Sequence, residues 1–290
     1  MKTRCWIQTV PVLLLLTASL VSSWAAAPVH RVMLLTGANN HDWRSTTPRI
    51  ESALSNAHVF SVTTITTPPL DAPAEVWNTN RLDFKSYDAT VMNWTDFGGK
   101  PATQPWMDEL VRYVTNGGAL VIVHAASLEY HPAWPAIAGL GWHDANFGDR
   151  LSVTDQGEVI RTPKGLGPGS GHGAVFAWPV TFRAANHPVA SGLPVTWPHK
   201  EDELWHGTRG PAENLEVIAS AYSPLTKTNE PVMWTVKAGK GRVFVTLLGH
   251  DARAMSCPGF GHTLARGCEW VITGSVTLRP PLDFPKARGD

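Results

Sequence analysis

From residue 29 onward, the chain alternates short apolar runs with amphipathic stretches. The runs are nearly continuous, which is typical of strands buried on both faces of a parallel sheet. The predicted strands of this half are VHRVMLLTG (29–37), HVFSVTTIT (58–66), YDATVMNW (87–94) and ALVIVH (119–124). The predicted helices are TTPRIESALSNA (46–57) and QPWMDELVRYVTNGG (104–118). This alternation predicts an α/β fold with a doubly wound, mainly parallel sheet.

A segment rich in glycine, proline and histidine interrupts the alternation over residues 139–200. Its stretch GLGPGSGHG (165–173) predicts no regular element, because glycine and proline dominate it. We therefore predict an irregular insertion, or extended loops, near one edge of the sheet. Regular patterning returns in LEVIASAY (215–222), PVMWTVKAG (231–239), GRVFVTLLGH (241–250) and a last helix from about Gly259 to Thr273. The middle two of these strands predict a hairpin that turns at residues 238–241.

The first 25 residues predict a secretory signal peptide. Lys2 and Arg4 precede an apolar run from Val10 to Val21, and the small residues of SSWAAA follow it. The run is too short to span a bilayer comfortably. Cleavage after Ala25 would give a periplasmic or secreted protein with no membrane anchor.

Composition narrows the class of partner. The 24 basic and 24 acidic side chains balance, whereas nucleic acid or an anionic membrane requires a basic excess. The 13 tryptophans favour a sugar ligand, because an indole face stacks on the C–H face of a pyranose. The length after cleavage suits one large domain or two small ones. Because the sequence contains no linker that would separate two domains, we predict one domain over residues 28–278, followed by a C-terminal tail at residues 279–290.

Two cysteines remain after the predicted cleavage, Cys257 and Cys268. They lie eleven residues apart on what reads as one helix, a separation of roughly 16 Å. That is too far for a disulfide unless the helix begins later. We predict two buried thiols, with the disulfide as the alternative.

Polar and aromatic side chains follow four of the predicted strands. Ligands of open α/β sheets bind beyond the carboxyl ends of the strands, and parallel strands end at the same edge. One histidine there is more often structural, but several arriving together by chance is improbable. The candidates at strand ends are His41, Trp43, Trp94, Asp96, His124 and His250. Two loop segments, GWHDANFGD and HKEDELWHG, add His143, Asp202, Glu203 and Trp205.

The motifs of several other chemistries are missing. Ser127 lacks the G-x-S-x-G context of a nucleophile elbow. No G-x-G-x-x-G or phosphate-binding loop follows the first strand, so no nucleotide cofactor is predicted. Histidines with a few carboxylates suit one divalent ion, such as zinc or manganese. They suit metal-free acid–base catalysis equally well. The predicted metal ligands are His41, His124, His143 and His250.

A set of ordered motifs resembles the ThuA-like (trehalose-utilisation) family over about residues 30 to 275. The motifs are HDW (41–43), GG-x-L-V-x-x-H (117–124), GWHD (141–144), NHPV-x-x-GL (186–193), DELW (202–205), PV-x-W (231–234) and GKGRVF…GH (239–250). The residues that match recurring family positions are Trp43, His124, His143, Glu203 and His250. Trp205 departs mildly, since tyrosine is commoner there.

The resemblance implies the flavodoxin-like fold of the class I glutamine amidotransferase-like superfamily. It also implies that His124 stands near where amidotransferases carry their catalytic cysteine, so glutaminase chemistry is not expected. Family members are linked to sugar catabolism, often beside oxidoreductases that make 3-keto sugars. We therefore expect an exported carbohydrate-active lyase, hydrolase or isomerase that acts on a 3-keto-glycoside. A non-catalytic carbohydrate-binding protein and a metal-dependent hydrolase of another substrate are the alternatives.

Besides the metal ligands, we expect two groups of residues: catalytic residues and substrate-binding residues. His124 or Glu203 would act as the base, and His250 as a protonated donor. The expected substrate-binding residues are His41, Trp43, Trp94, Asp96, Asp202 and Trp205.

Overall fold

The computed structural model describes residues 29–96, 99–128 and 130–286 of the 290-residue chain. The signal peptide predicted for residues 1–25 lies outside the described residues. Within the described ranges, no helix has the length and apolar character needed to cross a bilayer.

The strands are β1 (His30–Thr36), β2 (Phe60–Thr66), β3 (Ala89–Asn93), β4 (Ala119–Val123), β5 (Asp149–Val153), β6 (Val159–Thr162), β7 (Gly171–His172), β8 (Phe176–Phe182), β9 (Thr196–Asp202), β10 (Trp205–His206), β11 (Arg209–Gly210), β12 (Leu215–Ser223), β13 (Thr228–Ala238) and β14 (Gly241–Thr246). The α-helices are α1 (Trp43–Ser55), α2 (Ala74–Thr79), α3 (Gln104–Thr115), α4 (Trp134–Ala138) and α5 (Pro258–Thr273). Short 3-10 helices cover Phe84–Ser86, His124–Leu128 and Ala254–Ser256.

In the described part of the chain, a run of parallel strands forms one half of the central sheet, in the order β2-β1-β3-β4-β14. This is the flavodoxin-like order, in which the first strand lies between the second and the third. The predicted α/β class and doubly wound sheet are confirmed. The continuous apolar runs have the expected cause: Val32 and Leu34 of β1 enter the core on one face, and Met33 and Leu35 enter it on the other.

Antiparallel strands form the other half, in the order β13-β12-β8-β9 beyond β14. The predicted hairpin is confirmed, since Ala238 pairs with Gly241. Of the two alternatives for residues 139–200, extended loops are wrong, because this segment contains β5 to β8 and most of β9. The strands β8 and β9 are difficult to predict from sequence because each contains a proline, which is rare inside strands. Pro179 and Pro198 face each other across β8 and β9, beside an irregularity in the register. Likewise, β7 lies within residues 165–173, where no regular element is predicted.

The antiparallel half curls back over the carboxyl edge of the parallel half. In a flat sheet, the four strand spacings from β14 to β9 would span about 19 Å. Yet the Asp202 carboxylate, at the end of β9, accepts a hydrogen bond from the N–H of Gly249, just beyond β14, at 2.7 Å. The curl therefore brings the end of β9 to the ends of the parallel strands.

The C-terminal part of the chain packs on the face of the sheet that carries Val32 and Leu34. Cys257 and Cys268 are both buried and unbonded in the part of the chain that the structure describes. Cys257 precedes α5 and Cys268 lies within it. Phe284 is buried against Trp197, with ring centroids 5.5 Å apart. The packed unit thus extends beyond residue 278, into the predicted tail.

Candidate functional site

Four side chains converge at the carboxyl edge of the parallel strands, and we call them the His/Glu cluster: His41, His124, Glu203 and His250. Their ligand atoms all lie within 4.8 Å of one another. Each member follows a different strand, namely β1, β4, β9 and β14. The structure therefore brings together three of the four predicted metal-binding histidines and the three predicted catalytic residues.

The loop after β1 presents His41 to the cluster. The side-chain amide of Asn39 donates to the carbonyl of Asn93, at 3.1 Å, and its oxygen accepts from the N–H of His41, at 2.8 Å. The ring of His41 stands edge-on to those of His124 and His250, with centroids 4.8 and 4.6 Å away. Asn39 thus ties the ends of β1 and β3 together and fixes the loop that carries His41.

His124 is the first residue after β4 and has a φ of 43°, in the left-handed region. A residue other than glycine adopts this conformation at a cost of roughly 1 kcal/mol. Its Nδ1 lies 2.6 Å from the carbonyl oxygen of Leu247, and a carbonyl only accepts, so Nδ1 carries the proton. Nε2 is buried without a hydrogen-bond partner, and it lies 3.6 Å from Glu203 Oε2. The fixed tautomer leaves the Nε2 lone pair of the neutral ring facing the cluster.

Glu203 supplies the carboxylate of the cluster. Its Oε2 lies 3.2 Å from His250 Nδ1, 3.6 Å from His124 Nε2 and 3.8 Å from His41 Nε2. The indole N–H of Trp205 donates to the same oxygen at 3.3 Å. The His250 side chain is 26% exposed and that of His124 only 2%, so solvent reaches the cluster at His250.

The charges of the cluster are strongly coupled. Burial raises the pKa of Glu203, but the neighbouring imidazoles of His124, His250 and His41 outweigh burial and hold this pKa well below its usual range. The hydrogen bond to Glu203 raises the pKa of His250. Burial lowers the pKa of His41. The carboxylate is thus ionised at neutral pH, and His250 holds a proton beside it more readily than a free imidazole does.

The donor set fits a divalent cation. Lone pairs of neutral imidazoles and a carboxylate oxygen repel one another at 3.2–3.8 Å unless a proton or a cation lies between them. Ligands at about 2.1 Å in a tetrahedral site stand about 3.4 Å apart, within the observed range. Imidazole and carboxylate together suit zinc and similar ions. The bond from His124 to the Leu247 carbonyl is the outer hydrogen bond that metal-binding histidines typically make.

Asp202 lies behind the cluster and does not face a substrate. It is fully buried, and its carboxylate accepts from His199 Nε2 at 2.8 Å. It also accepts from the N–H groups of Glu203 (2.8 Å), Gly249 (2.7 Å) and His250 (3.0 Å). The prediction of Asp202 as a substrate ligand is therefore corrected, because protein donors surround its oxygens. Its position ties together the two backbone segments that carry Glu203 and His250.

The buried His199–Asp202 pair predicts a pH-dependent stability. Burial alone lowers the pKa of His199, but the hydrogen bonds to Asp202 and then to Cys257 outweigh it and raise this pKa to about 9. Because this value exceeds the ordinary 6.5, the stabilisation is complete below pH 6.5 and is lost as the pH rises through 9. Roughly 3 kcal/mol of unfolding free energy should be lost over this interval.

Urea unfolding of the chelated protein at several pH values measures this loss, and chelation removes the pH dependence of any bound metal. A His199→Gln variant has no group titrating at this position, so its unfolding free energy should change less between pH 6.5 and 9. Equal changes in the two proteins would contradict the assignment.

The structure corrects two further predicted substrate ligands, Trp94 and Asp96. Trp94 is fully buried, and its ring centroid lies 5.9 Å from that of Trp77. Asp96 is 2% exposed, and its carboxylate accepts from the N–H of Lys100, at 2.9 Å, and from the hydroxyl of Thr103, at 2.7 Å. Trp94 therefore belongs to the core, and Asp96 holds the loop that leads into α3.

The two remaining predicted tryptophans differ in exposure. Trp205 is 2% exposed and lies between His124 and Trp142, with ring centroids 4.9 Å from each. It supports the cluster from behind, which corrects its prediction as a sugar contact. Trp43 is half-buried at the start of α1, with the guanidinium carbon of Arg44 4.3 Å from its ring centroid.

His143 does not join the His/Glu cluster formed by the described residues. Its ring stacks on that of Phe147, with centroids 3.6 Å apart, and its backbone N–H donates to the hydroxyl of Ser170 at 3.0 Å. The prediction of His143 as a member of the same site is therefore corrected, and Glu203 is the fourth residue of the cluster.

Two residues beside the cluster, Trp142 and His172, were not among the site residues predicted from the sequence. His172 Nε2 lies 3.6 Å from Glu203 Oε1, and the rings of His172 and Trp142 are 5.7 Å apart. Trp142 belongs to the GWHD motif, so a signal for it was present. His172 lies in the glycine-rich stretch, where no strand end marks it.

Comparison with known proteins places this site in a family. The chain matches the ThuA family, described as trehalose utilisation, over residues 31–271. It is 33% identical to a ThuA-like protein from Parabacteroides merdae ATCC 43184, with a TM-score of 0.80 over 89% of this chain and 95% of that one. A ThuA-like protein from Bacteroides uniformis ATCC 8492 shares the fold at 16% identity, with a TM-score of 0.56 over 91% of this chain and 99% of that one. No match is found among curated proteins. The matched range contains the whole His/Glu cluster, and the chain belongs to the ThuA family.

Proposed function

We propose that this protein is an enzyme of sugar catabolism that acts on a glycoside with a ketone at C3. Its catalytic centre would be the His/Glu cluster. The observation that carries the proposal is the approach of three imidazole nitrogens to within 3.8 Å of Glu203 Oε2. The description of the family as trehalose utilisation supports a sugar substrate.

The chemistry of such a substrate suits the cluster. A ketone at C3 acidifies the neighbouring C–H bonds, and loss of one of these protons starts elimination of the glycosidic substituent or an isomerisation. A divalent cation held by His41, His124, Glu203 and His250 would supply a Lewis acid for the sugar carbonyl oxygen. The chain orients these groups through Asp202, which holds the backbone of Glu203 and His250.

Metal-free acid–base catalysis by the same residues is the second candidate. The raised pKa of His250 and its exposure favour a protonated imidazole that donates to a substrate oxygen. The ionised Glu203, or Nε2 of neutral His124, would then accept the C–H proton. Glutaminase chemistry is not proposed, because a histidine and not a cysteine follows β4.

Metal analysis combined with a turnover assay tests the proposal. We expect about one divalent ion per chain and turnover of methyl 3-keto-α-D-glucopyranoside, which a chelator abolishes and added metal restores. The unoxidised methyl α-D-glucopyranoside is the control and should not react, because its C–H bonds are not acidified. Turnover that survives complete metal removal would favour the metal-free candidate. Absence of turnover with the metal bound would refute the 3-keto-glycoside.

We also propose that the protein is exported to the periplasm or secreted. The support is the basic start, apolar run and small residues of the first 25 positions. The mass of the protein recovered from the producing cells should correspond to a chain that begins at Ala26. A full-length chain retained in the cytoplasm would rule out export.

A further inference from the structure

The glycine-rich stretch 165–173 forms one side of the site. Within it, β7 pairs with β10, which places His172 opposite Trp205. Trp205 in turn donates to Glu203. The segment therefore lies against the His/Glu cluster, although it has no role in the proposed reaction.

Close backbone packing explains the glycines of this stretch. Gly207 has a φ of 64°, and a Cβ there would collide with the carbonyl oxygen of Gly169. A Cβ on Gly171 would come within 2.8 Å of His206 Nε2. Larger residues at these positions would push the stretch away from β10. The irregular composition thus produces a tightly fitted segment.

Arg209 fixes the same stretch from below. It is fully buried, and its guanidinium donates to the carbonyl oxygens of Leu166, Pro168 and Gly148. These carbonyls would otherwise lack backbone partners in a segment with little regular structure. The stretch is therefore held in place before any ligand binds, which is what a recognition surface requires.

Two side chains on this side of the site remain accessible, and we call them the Trp142/His172 wall. Trp142 is half-buried, and its ring contacts Trp205 in a T-shaped arrangement at 4.9 Å. The His172 side chain is 39% exposed. The wall thus offers an apolar ring and an imidazole to the solvent side of Glu203.

Two hydrogen-bond acceptors, one on the wall and one on Glu203, face each other without a donor between them among the described residues. His172 Nδ1 lies 2.9 Å from the carbonyl of Gly173, so Nδ1 carries the proton and the neutral ring presents Nε2 as an acceptor. This Nε2 faces Glu203 Oε1, a second acceptor, at 3.6 Å. Oε1 is the oxygen turned away from His41, His124 and His250, whose contacts are to Oε2. A hydroxyl group of a ligand would be a suitable donor to either acceptor.

We propose that the Trp142/His172 wall recognises the pyranose ring of the substrate. The indole of Trp142 packs on the C–H face of the ring, and His172 Nε2 accepts from one of its hydroxyls. This inference rests on the proposed function, and it assigns ring recognition to residues outside the His/Glu cluster. The wall binds and positions the sugar, whereas the cluster performs the chemistry.

The test separates sugar binding from metal binding. Trp142→Ala should raise KM for methyl 3-keto-α-D-glucopyranoside by about tenfold or more, with the affinity for Zn²⁺ unchanged by calorimetry. Trp142→Phe should recover part of the loss, because it keeps an aromatic face. His172→Ala should raise KM in the same way, and His172→Gln should restore part of the binding, because its amide oxygen can accept.

Trp270→Ala is the matched control. Trp270 is also half-buried, and its neighbours Val271 and Ile272 accept from Arg242 at the start of β14, the opposite edge of the sheet. An unchanged KM in both Trp142→Ala and His172→Ala would refute sugar recognition by the Trp142/His172 wall. It would leave the proposed function intact, since the wild type would still react. If Trp142→Ala does not fold, the exposed His172 variants decide the question. A wild type that binds metal but turns over no keto-glycoside would instead defeat the proposed function, and the wall with it.

Discussion

Replacing Glu203 with glutamine should weaken the binding of a divalent cation by about 100-fold or more and reduce turnover by roughly a thousandfold. Glutamine keeps the shape of the side chain but removes the negative charge that three imidazoles face. Its amide nitrogen would also bring N–H groups towards donors such as the Trp205 indole, which now donates to Oε2. Calorimetric titration with Zn²⁺ and steady-state turnover of the keto-glycoside measure the two losses.

Glu201→Gln is the matched control for this experiment. Glu201 lies on β9, two residues before Glu203, with its side chain 50% exposed and 3.8 Å from Arg253. It removes the same charge from the same segment but not from the cluster. Metal affinity and turnover should therefore stay at wild-type values. If Glu203→Gln behaves like this control, Glu203 is neither a ligand nor a base.

The parallel half of the fold could be predicted because its inner strands, β1, β3, β4 and β14, are buried on both faces. In β1, neighbouring residues such as Val32 and Met33 belong to opposite cores, so the whole run must be apolar. The last apolar residue of such a run shows where the strand ends, and His124 and His250 could be placed at the sheet edge in this way. The strand β8 of the antiparallel half lacks this signal, since Pro179 interrupts it and exposed positions alternate with buried ones.

The sequence could predict that each candidate residue lies at the carboxyl edge of the sheet. It could not predict how deeply the side chain is buried there. Trp94 and His124 both follow buried strands, yet Trp94 is sealed against Trp77, a residue of the α2 helix that no pattern connects to it. Glu203 reaches the cluster only because the antiparallel half curls over by several strand widths. Contacts of this kind depend on packing between segments distant in sequence, so a single sequence does not reveal them.

The backbone of His124 determines which substitution tests it cleanly. With a φ of 43°, alanine at this position would add strain to the loss of the ring, whereas asparagine tolerates the left-handed region. The asparagine amide also lies where Nδ1 of histidine lies, so it can still donate to the Leu247 carbonyl that Nδ1 contacts at 2.6 Å. His124→Asn therefore removes Nε2 and little else.

We expect His124→Asn to keep the unfolding free energy within about 1 kcal/mol of the wild type. Its Zn²⁺ affinity should fall by about 100-fold and its turnover by roughly a thousandfold, because Nε2 is the atom that faces Glu203. His131→Asn is the control: that side chain is 8% exposed and pairs with Asp108 at 3.0 Å, outside the cluster, so metal binding and turnover should not change. Urea unfolding, calorimetry and steady-state kinetics of both variants provide the comparison. Wild-type turnover in a folded His124→Asn protein would show that the imidazole at the end of β4 takes no part in the reaction.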